Sequence, residues 1–207
     1  MEIDPLALDQ REVYKLLIGC IVPRPIAWVS TCDVEGRTNL APFSFFNAVG
    51  SAPPAVTISV GYTADRAGER KDTLRNILDT GEFVVNMVTE ATMQAMNETA
   101  TEYPPGFDEF AMAGLSVAPS HSVRPPRVAD SPINFECALH TTLPIGEGPG
   151  SATLVVGIIR HMHIRDDLLD ERNHIDIARY QPIGRLAGSS YAYIHELFDL
   201  VRKPYRP

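Results

Sequence analysis

The sequence predicts a mainly β domain, an antiparallel barrel with peripheral helices, on three observations. Short runs rich in β-branched and aromatic residues outnumber the helical patterns. Several of these runs are joined by turn residues alone, a connection open to antiparallel strands and closed to parallel ones. A length of 207 residues suits one domain with a single sizeable core.

Each element follows from local chemistry. Asp9, with Glu12 three residues later, forms a capping box ahead of Val13, Leu16 and Leu17 on one face, and Gly19 ends this short amphipathic helix. Ile26 to Thr31 and Asn39 to Phe43 flank the turn Asp33-Val34-Glu35-Gly36 and read as a hairpin, and Ala55 to Val60 gives a third strand. Asp72 precedes Leu74, Ile77 and Leu78 at helical spacing, and Gly81 stops that helix before the strand-like Phe83, Val84 and Val85.

A weaker helical stretch covers Ala91 to Glu98, while Tyr103-Pro104-Pro105-Gly106 and Arg124-Pro125-Pro126-Arg127 are loops of a long excursion. Two strands then follow, Ile133 to Leu143 and Ala152 to Ile164, separated by the glycine-rich turn Gly146 to Gly150. No internal repeat interrupts this order.

Composition narrows the function. The chain is 44% hydrophobic and 21% charged, the balance of a soluble globular protein, and its 18 basic against 26 acidic residues give a formal charge of -8. Duplex nucleic acid and anionic membranes would meet net repulsion, whereas a small anionic cofactor needs only a local cluster of donors. Cys20, Cys32 and Cys137 are odd in number and widely spaced, which points to buried thiols in a reducing, cytoplasmic setting. The N-terminus has no basic region followed by an apolar run.

Several enzyme classes lose their main signal. The glycine turn at Gly146 to Gly150 is not G-x-G-x-x-G and leads into strand-like residues, and G-x-S-x-G, P-loop and H-E-x-x-H patterns do not occur. His161 and His163, two apart on a strand, share a face and raise a metal reading, but no carboxylate-rich or histidine-bearing partner strand is evident beside them. Solvated strand histidines are the better account.

The informative segment runs from Arg24-Pro25-Ile26-Ala27-Trp28-Val29-Ser30-Thr31 through Asn39-Leu40-Ala41-Pro42-Phe43-Ser44-Phe45-Phe46-Asn47 to Pro53-Pro54-Ala55-Val56-Thr57-Ile58-Ser59. With Lys71-Asp72-Thr73, Asn76-Ile77 and Glu82-Phe83-Val84-Val85-Asn86, it resembles the flavin reductase-like family of FMN-binding split β-barrels. A looser likeness continues through Pro132-Ile133, Glu136-Cys137, Ile158 to Asp167 and Tyr180-Gln181-Pro182-Ile183-Gly184-Arg185-Leu186. About 99 to 126 is a variable insertion.

The resemblance implies one domain over 1–207 with FMN contacts at Arg24, Thr31, Ala41, Pro42, Phe43, Ser44, Asn47, Ser59, Lys71, Asp72 and Thr73. It implies hydride delivery from NADH or NADPH, a homodimer with FMN near the subunit interface, and a partner oxygenase or other electron-acceptor protein. It also sets His163 on the nicotinamide side. No catalytic acid–base pair is required, because the flavin carries the chemistry. A flavoredoxin-like shuttle and a flavin-free interaction module are the competing readings.

The residues themselves make chemical sense for FMN. Pro42 is expected to interrupt strand pairing and expose backbone groups at Ala41 to Ser44, with Ser44 and Asn47 adding side-chain donors and acceptors. Lys71 and Thr73 stand where a helix begins, so an ammonium, a hydroxyl and open N–H groups converge on one point, which Ser59 can join from the preceding strand. Asp72 would compete for those N–H groups as a cap. Phe43 and Phe45 are expected in the core, and Arg24 either touches the cofactor or is a surface charge.

Overall fold

A strand that is apolar on both faces must be covered on both, and Ala27 to Cys32 is such a strand, with all six residues buried. It forms β1 (Ala27–Cys32) near one end of the main sheet in a computed structural model that describes residues 1–62, 70–101, 103–104, 106–203 and 205. The other strands are β2 (Thr38–Phe43), β3 (Phe46–Ser51), β4 (Pro54–Gly61), β5 (Glu82–Met87), β6 (Val117–Ala118), β7 (Arg127–Val128), β8 (Ile133–Ile145), β9 (Ala152–Ile164), β10 (Ile183–Arg185) and β11 (Tyr191–Tyr193). The helices are α1 (Gln10–Cys20), α2 (Asp72–Thr80), α3 (Met93–Glu98), α4 (Glu109–Met112) and α5 (Ile177–Tyr180).

Seven strands form one sheet in the order β2-β1-β5-β8-β9-β4-β3, with every neighbouring pair antiparallel. Alternate residues point to opposite faces, and one face curls around a core of Ala27, Val29, Phe43, Val56, Ile58, Phe83, Val85, Cys137 and Val155. Leu74 and Ile77 of α2 fill one end of it. The other face of β1, with Ile26, Trp28 and Leu40, packs under Met96 of α3, Phe110 of α4, Val128 and Ile183. The mainly β expectation holds.

The stretch from about 99 to 126, expected to be an insertion, lies as a second layer over the barrel. Trp28 is fully buried and its indole N–H donates to Thr99 Oγ1 at 2.8 Å. Ser30 Oγ donates to the Pro126 carbonyl at 2.6 Å. Pro105 of the predicted loop, and Glu102 just before that loop, lie outside the described residues.

Three expectations change. A strand at Phe46 to Ser51, absent from the sequence reading, pairs with β4 and places Phe45 in the preceding turn, 39% exposed, while Phe43 stays in the core. The capping box of α1 is present, but Leu16 and Leu17 on its apolar side are 40% and 45% exposed. Cys20 is exposed, unlike Cys32 and Cys137. Among the described residues no helix is long and apolar enough to cross a membrane.

Candidate flavin site

Strand β2 lies at the end of the sheet, and only one of its edges is paired to β1. The Leu40 N–H points off the open edge and donates to Glu109 Oε2 at 3.2 Å. Backbone direction alternates along a strand, so the nitrogen of Pro42 faces that open edge too. Its missing N–H removes no ladder bond, and Pro42 stays in register opposite Trp28. The expected break in strand pairing does not occur. What Pro42 leaves is an edge with carbonyls free of a strand partner.

Beside that edge stands the N-terminus of α2. Lys71 holds the cap position without a side-chain cap bond, so the first N–H groups of a nine-residue helix are left to other partners. Asp72 is the first helical residue, not the cap, and its Oδ1 lies 2.6 Å from Arg75 Nη2. An ion pair with Arg75 thus takes up one oxygen of the Asp72 carboxylate. A cleft of about 120 Å³ opens between edge and helix, lined by Ala41, Pro42, Phe43, Lys71, Asp72 and Thr73, together with Asn39, Thr99, Thr101, Tyr103 and Glu109.

Beneath the cleft is a buried polar knot. Asn39 donates to Thr73 Oγ1 at 2.9 Å and to Thr31 Oγ1 at 3.4 Å, and Asn76 donates to Thr31 Oγ1 at 3.1 Å. Thr31 is wholly buried and acts as the joint of this knot. The Asn76 Oδ1 atom is buried without a hydrogen-bond partner among the described residues. Thr73 has one foot in each place, bonded to Asn39 and lining the cleft.

The remaining predicted contacts lie off this cleft. Arg24 is 5% exposed and is no surface charge: Nη1 donates to the carbonyls of Ile18 (2.8 Å) and Ile21 (2.7 Å), Nη2 to that of Leu186 (3.0 Å), and Nε to Ser44 Oγ (3.3 Å). It ties the end of α1 to the strand after α5 and orients Ser44. Asn47 lies on exposed β3, where its Oδ1 accepts from the Ala48 N–H. Ser59 lies in β4, with its N–H bonded to the Phe45 carbonyl.

His163 belongs to a different place. Its Nε2 donates to Glu136 Oε1 at 2.5 Å, and it borders a second cleft with Arg127, Ser131 and Asn134. His161 shares its face, as expected, with ring centroids 4.6 Å apart, and also meets the His121 ring at 4.5 Å. Burial alone would raise the Glu136 carboxyl. Donation from the Ser122 hydroxyl, the His121 N–H, His163 and the Ser122 N–H outweighs it and holds the group at about 2.

Sequence reasoning missed Asn39, Thr99, Thr101, Tyr103 and Glu109 as cleft residues, and Glu109 is the charged one among them. It is the first residue of α4, and burial pushes its carboxyl up, helped by the charges of Asp72 and Asp108. A Glu one residue after the potential cap Asp108 was the only signal, and it reads as an ordinary helix start.

Residues 18–183 match the model of the flavin reductase like domain. The chain belongs to the flavin reductase-like family. Nitrilotriacetate monooxygenase component B from Bacillus cereus is 38% identical, with a TM-score of 0.91 over 97% of this chain and 98% of that one. The 2-nitrobenzoate 2-nitroreductase NbaA of Pseudomonas fluorescens is 32% identical, with a TM-score of 0.88 over 100% of this chain and 98% of the other. A split-barrel structure from Shewanella frigidimarina, 20% identical, has a TM-score of 0.83 over 98% of this chain and 100% of that one. The flavin reductase-like chain is thus a split barrel, and the family's flavin chemistry is that of an oxidoreductase.

Proposed function

We propose that the protein binds FMN with its phosphate at the N-terminus of α2 and its ring along the open edge of β2, and passes electrons from NADH or NADPH through it. One observation carries the reading: an ammonium, a helix N-terminus and a strand edge without a strand partner among the described residues meet at a single cleft. An anion suits the first two, and the polar edge of a flavin suits the third. The bound flavin would supply hydride acceptance and electron release. Lys71 and the α2 N–H groups hold the anion, Pro42 and Ala41 face the ring, and Asn39, Thr31 and Asn76 brace the strand against the helix.

At about 120 Å³, the cleft takes only part of a cofactor of that size. A homodimer completes it: β3 is exposed along most of its length, and Leu16, Leu17, Ile21, Val22 and Val49 form apolar surface outside the barrel. Similarity to a monooxygenase component B favours delivery of reduced flavin to a separate oxygenase component over a sealed flavoredoxin-like shuttle. The visible spectrum of the purified protein, followed by NADH and NADPH oxidation with added FMN, tests this. Colourless protein that fails to bind FMN would refute it, and a bound flavin that neither nucleotide reduces would leave only the shuttle.

A further inference from the structure

On a chain of formal charge -8, arginines near the surface readily find carboxylates. Arg37, Arg75, Arg124, Arg165 and Arg179 each pair with one, at 2.5 to 3.3 Å. Arg127 is different. Its Nε and Nη2 donate to the Pro119 carbonyl at 3.2 and 3.1 Å, and its Nη1 donates to Asn134 Oδ1 at 3.2 Å. Both acceptors are neutral, and no carboxylate among the described residues pairs with this guanidinium. A guanidinium carries five N–H groups, so one on Nη1 and one on Nη2 remain, a pair that suits the two oxygens of a carboxylate.

The guanidinium is also held in place. Asn134 is 2% exposed, and its amide donates to Asn86 Oδ1 at 2.9 Å. Asn86 is wholly buried, donates to the Trp28 carbonyl and accepts from the Val128 N–H, each at 2.9 Å. Arg127 thus hangs from the barrel through a buried polar chain, and this preorganisation lowers the ordering cost of binding. It lines the second cleft, of about 630 Å³, which shares no lining residue with the flavin cleft. The other cations there are engaged: Arg165 pairs with Asp167, and His163 meets Glu136. Opposite in charge stands Asp130, exposed and the one carboxylate lining the cleft. Met162, 45% exposed, Pro132 and Ile164 add an apolar wall.

A fixed cation beside an apolar wall calls for an anion with an apolar body. Its charge number follows from the same residues. Attraction to Arg127 and repulsion from Asp130 both grow in proportion to the charge of the ligand, whereas the cost of stripping its water grows as the square. A single charge is therefore favoured, which selects a carboxylate over a phosphate monoester, nearly dianionic at pH 7. We infer that this cleft, between residues 127–134 and the end of β9, binds a small organic acid. The carboxylate sits on Arg127, and the hydrocarbon or aromatic part lies against Met162 and Pro132. The space is ample for a single-ring acid.

The test follows amide hydrogen exchange of the full chain across a benzoate titration, with benzamide as the neutral probe of the same shape and phenyl phosphate as the dianionic one. Benzoate should slow exchange at 129–134 and 162–165, and the other two probes at equal concentration should not. Arg127→Gln should raise the benzoate concentration for half protection at least about 10-fold, the loss expected of a charge-assisted pair. Circular dichroism checks that this variant is folded. Asp130→Asn leaves every bond of Arg127 in place and should lower that concentration about threefold, so the site is tested even where Arg127→Gln fails to fold. No protection up to about 10 mM benzoate, equal protection by benzamide or phenyl phosphate, or protection confined to the flavin cleft would overturn the site. So would a half-protection concentration unchanged in either folded variant.

Discussion

The imidazole Nε2 of His163 stands 2.5 Å from Oε1 of Glu136, a carboxylate with no exposed surface. Three further donors from His121 and Ser122 reach the same carboxylate, at 2.5 to 2.7 Å. Its folded value of about 2 lies below the ordinary 4.5, so the stability it contributes is fully present above pH 4.5 and is lost as pH falls toward 2. A difference of this size corresponds to about 3 kcal/mol. Glu136→Gln should therefore lose about 3 kcal/mol at pH 7 and converge with wild type near pH 2, in urea denaturation across that range. A constant gap at all pH values would show that the carboxylate charge is not what the four donors hold.

The same contact gives His163 a structural role to set beside the nicotinamide contact that the resemblance implies. Removing the imidazole takes one of four donors from a buried carboxylate, so His163→Ala should destabilise the fold by about 1–3 kcal/mol. The alternative, a nicotinamide contact, predicts a raised KM for the nucleotide with FMN affinity intact and unfolding unchanged. Denaturation and steady-state kinetics on one preparation separate the two.

Strand and helix positions were legible because turn residues mark their ends: Asp33 to Gly36, Gly81 and Gly146 to Gly150 all sit at element boundaries. Lys71, Thr73, Ala41, Pro42 and Phe43 were legible as a group, and one cleft gathers them. Pairings distant in sequence were not. Arg24 reads as a charge beside a proline, and nothing local announces that Ile18, Ile21 and Leu186 will offer it carbonyls. β3 was missed because Asn47, Gly50 and Ser51 break the apolar alternation that a half-buried strand would show, and its exposure explains why.

Gly157 was equally silent. It lies in β9 over the Phe83 ring, and a Cβ added there would come within 2.3 Å of Phe83 Cζ and 3.2 Å of Cys137 Cβ. Phe83 is fully buried in the barrel core and has no open side to move into. Gly157→Ala should cost about 1–3 kcal/mol through overpacking, and Phe83→Leu should recover part of the loss in the double variant. Additive losses in denaturant melts would show that the ring and the glycine are not in contact.

Lys71 and Thr73, grouped together by the sequence, separate in the structure. Lys71→Ala removes a cation from the cleft and should weaken FMN binding by about 10-fold, with a smaller change in melting temperature than Thr73→Ala, since a charged hydrogen bond contributes about 1.5–3 kcal/mol. Thr73→Ala also strips the Asn39 amide of its 2.9 Å acceptor, so it should lower both affinity and stability. Flavin fluorescence titration beside thermal melts checks the difference. Equal thermal effects of the two variants would mean that Lys71 is as structural as Thr73.

Glu109 gives the sharpest test of where the phosphate sits. Its carboxylate shares the cleft with Lys71 and Asp72, and burial together with the charges of Asp72 and Asp108 raises its pKa above the ordinary 4.5. When ionised it opposes an incoming dianion, and when protonated it does not. Glu109→Gln keeps an acceptor for the Leu40 N–H and deletes the charge, so FMN should bind about threefold or more tightly than to wild type at pH 8. At pH 5 the gap should narrow, because wild type is then more protonated at this position and the phosphate itself carries less charge for Glu109 to oppose. Riboflavin, which lacks the phosphate, should show little gain at either pH. An equal gain for riboflavin and FMN would move the phosphate away from Lys71 and leave Glu109 beside the ring.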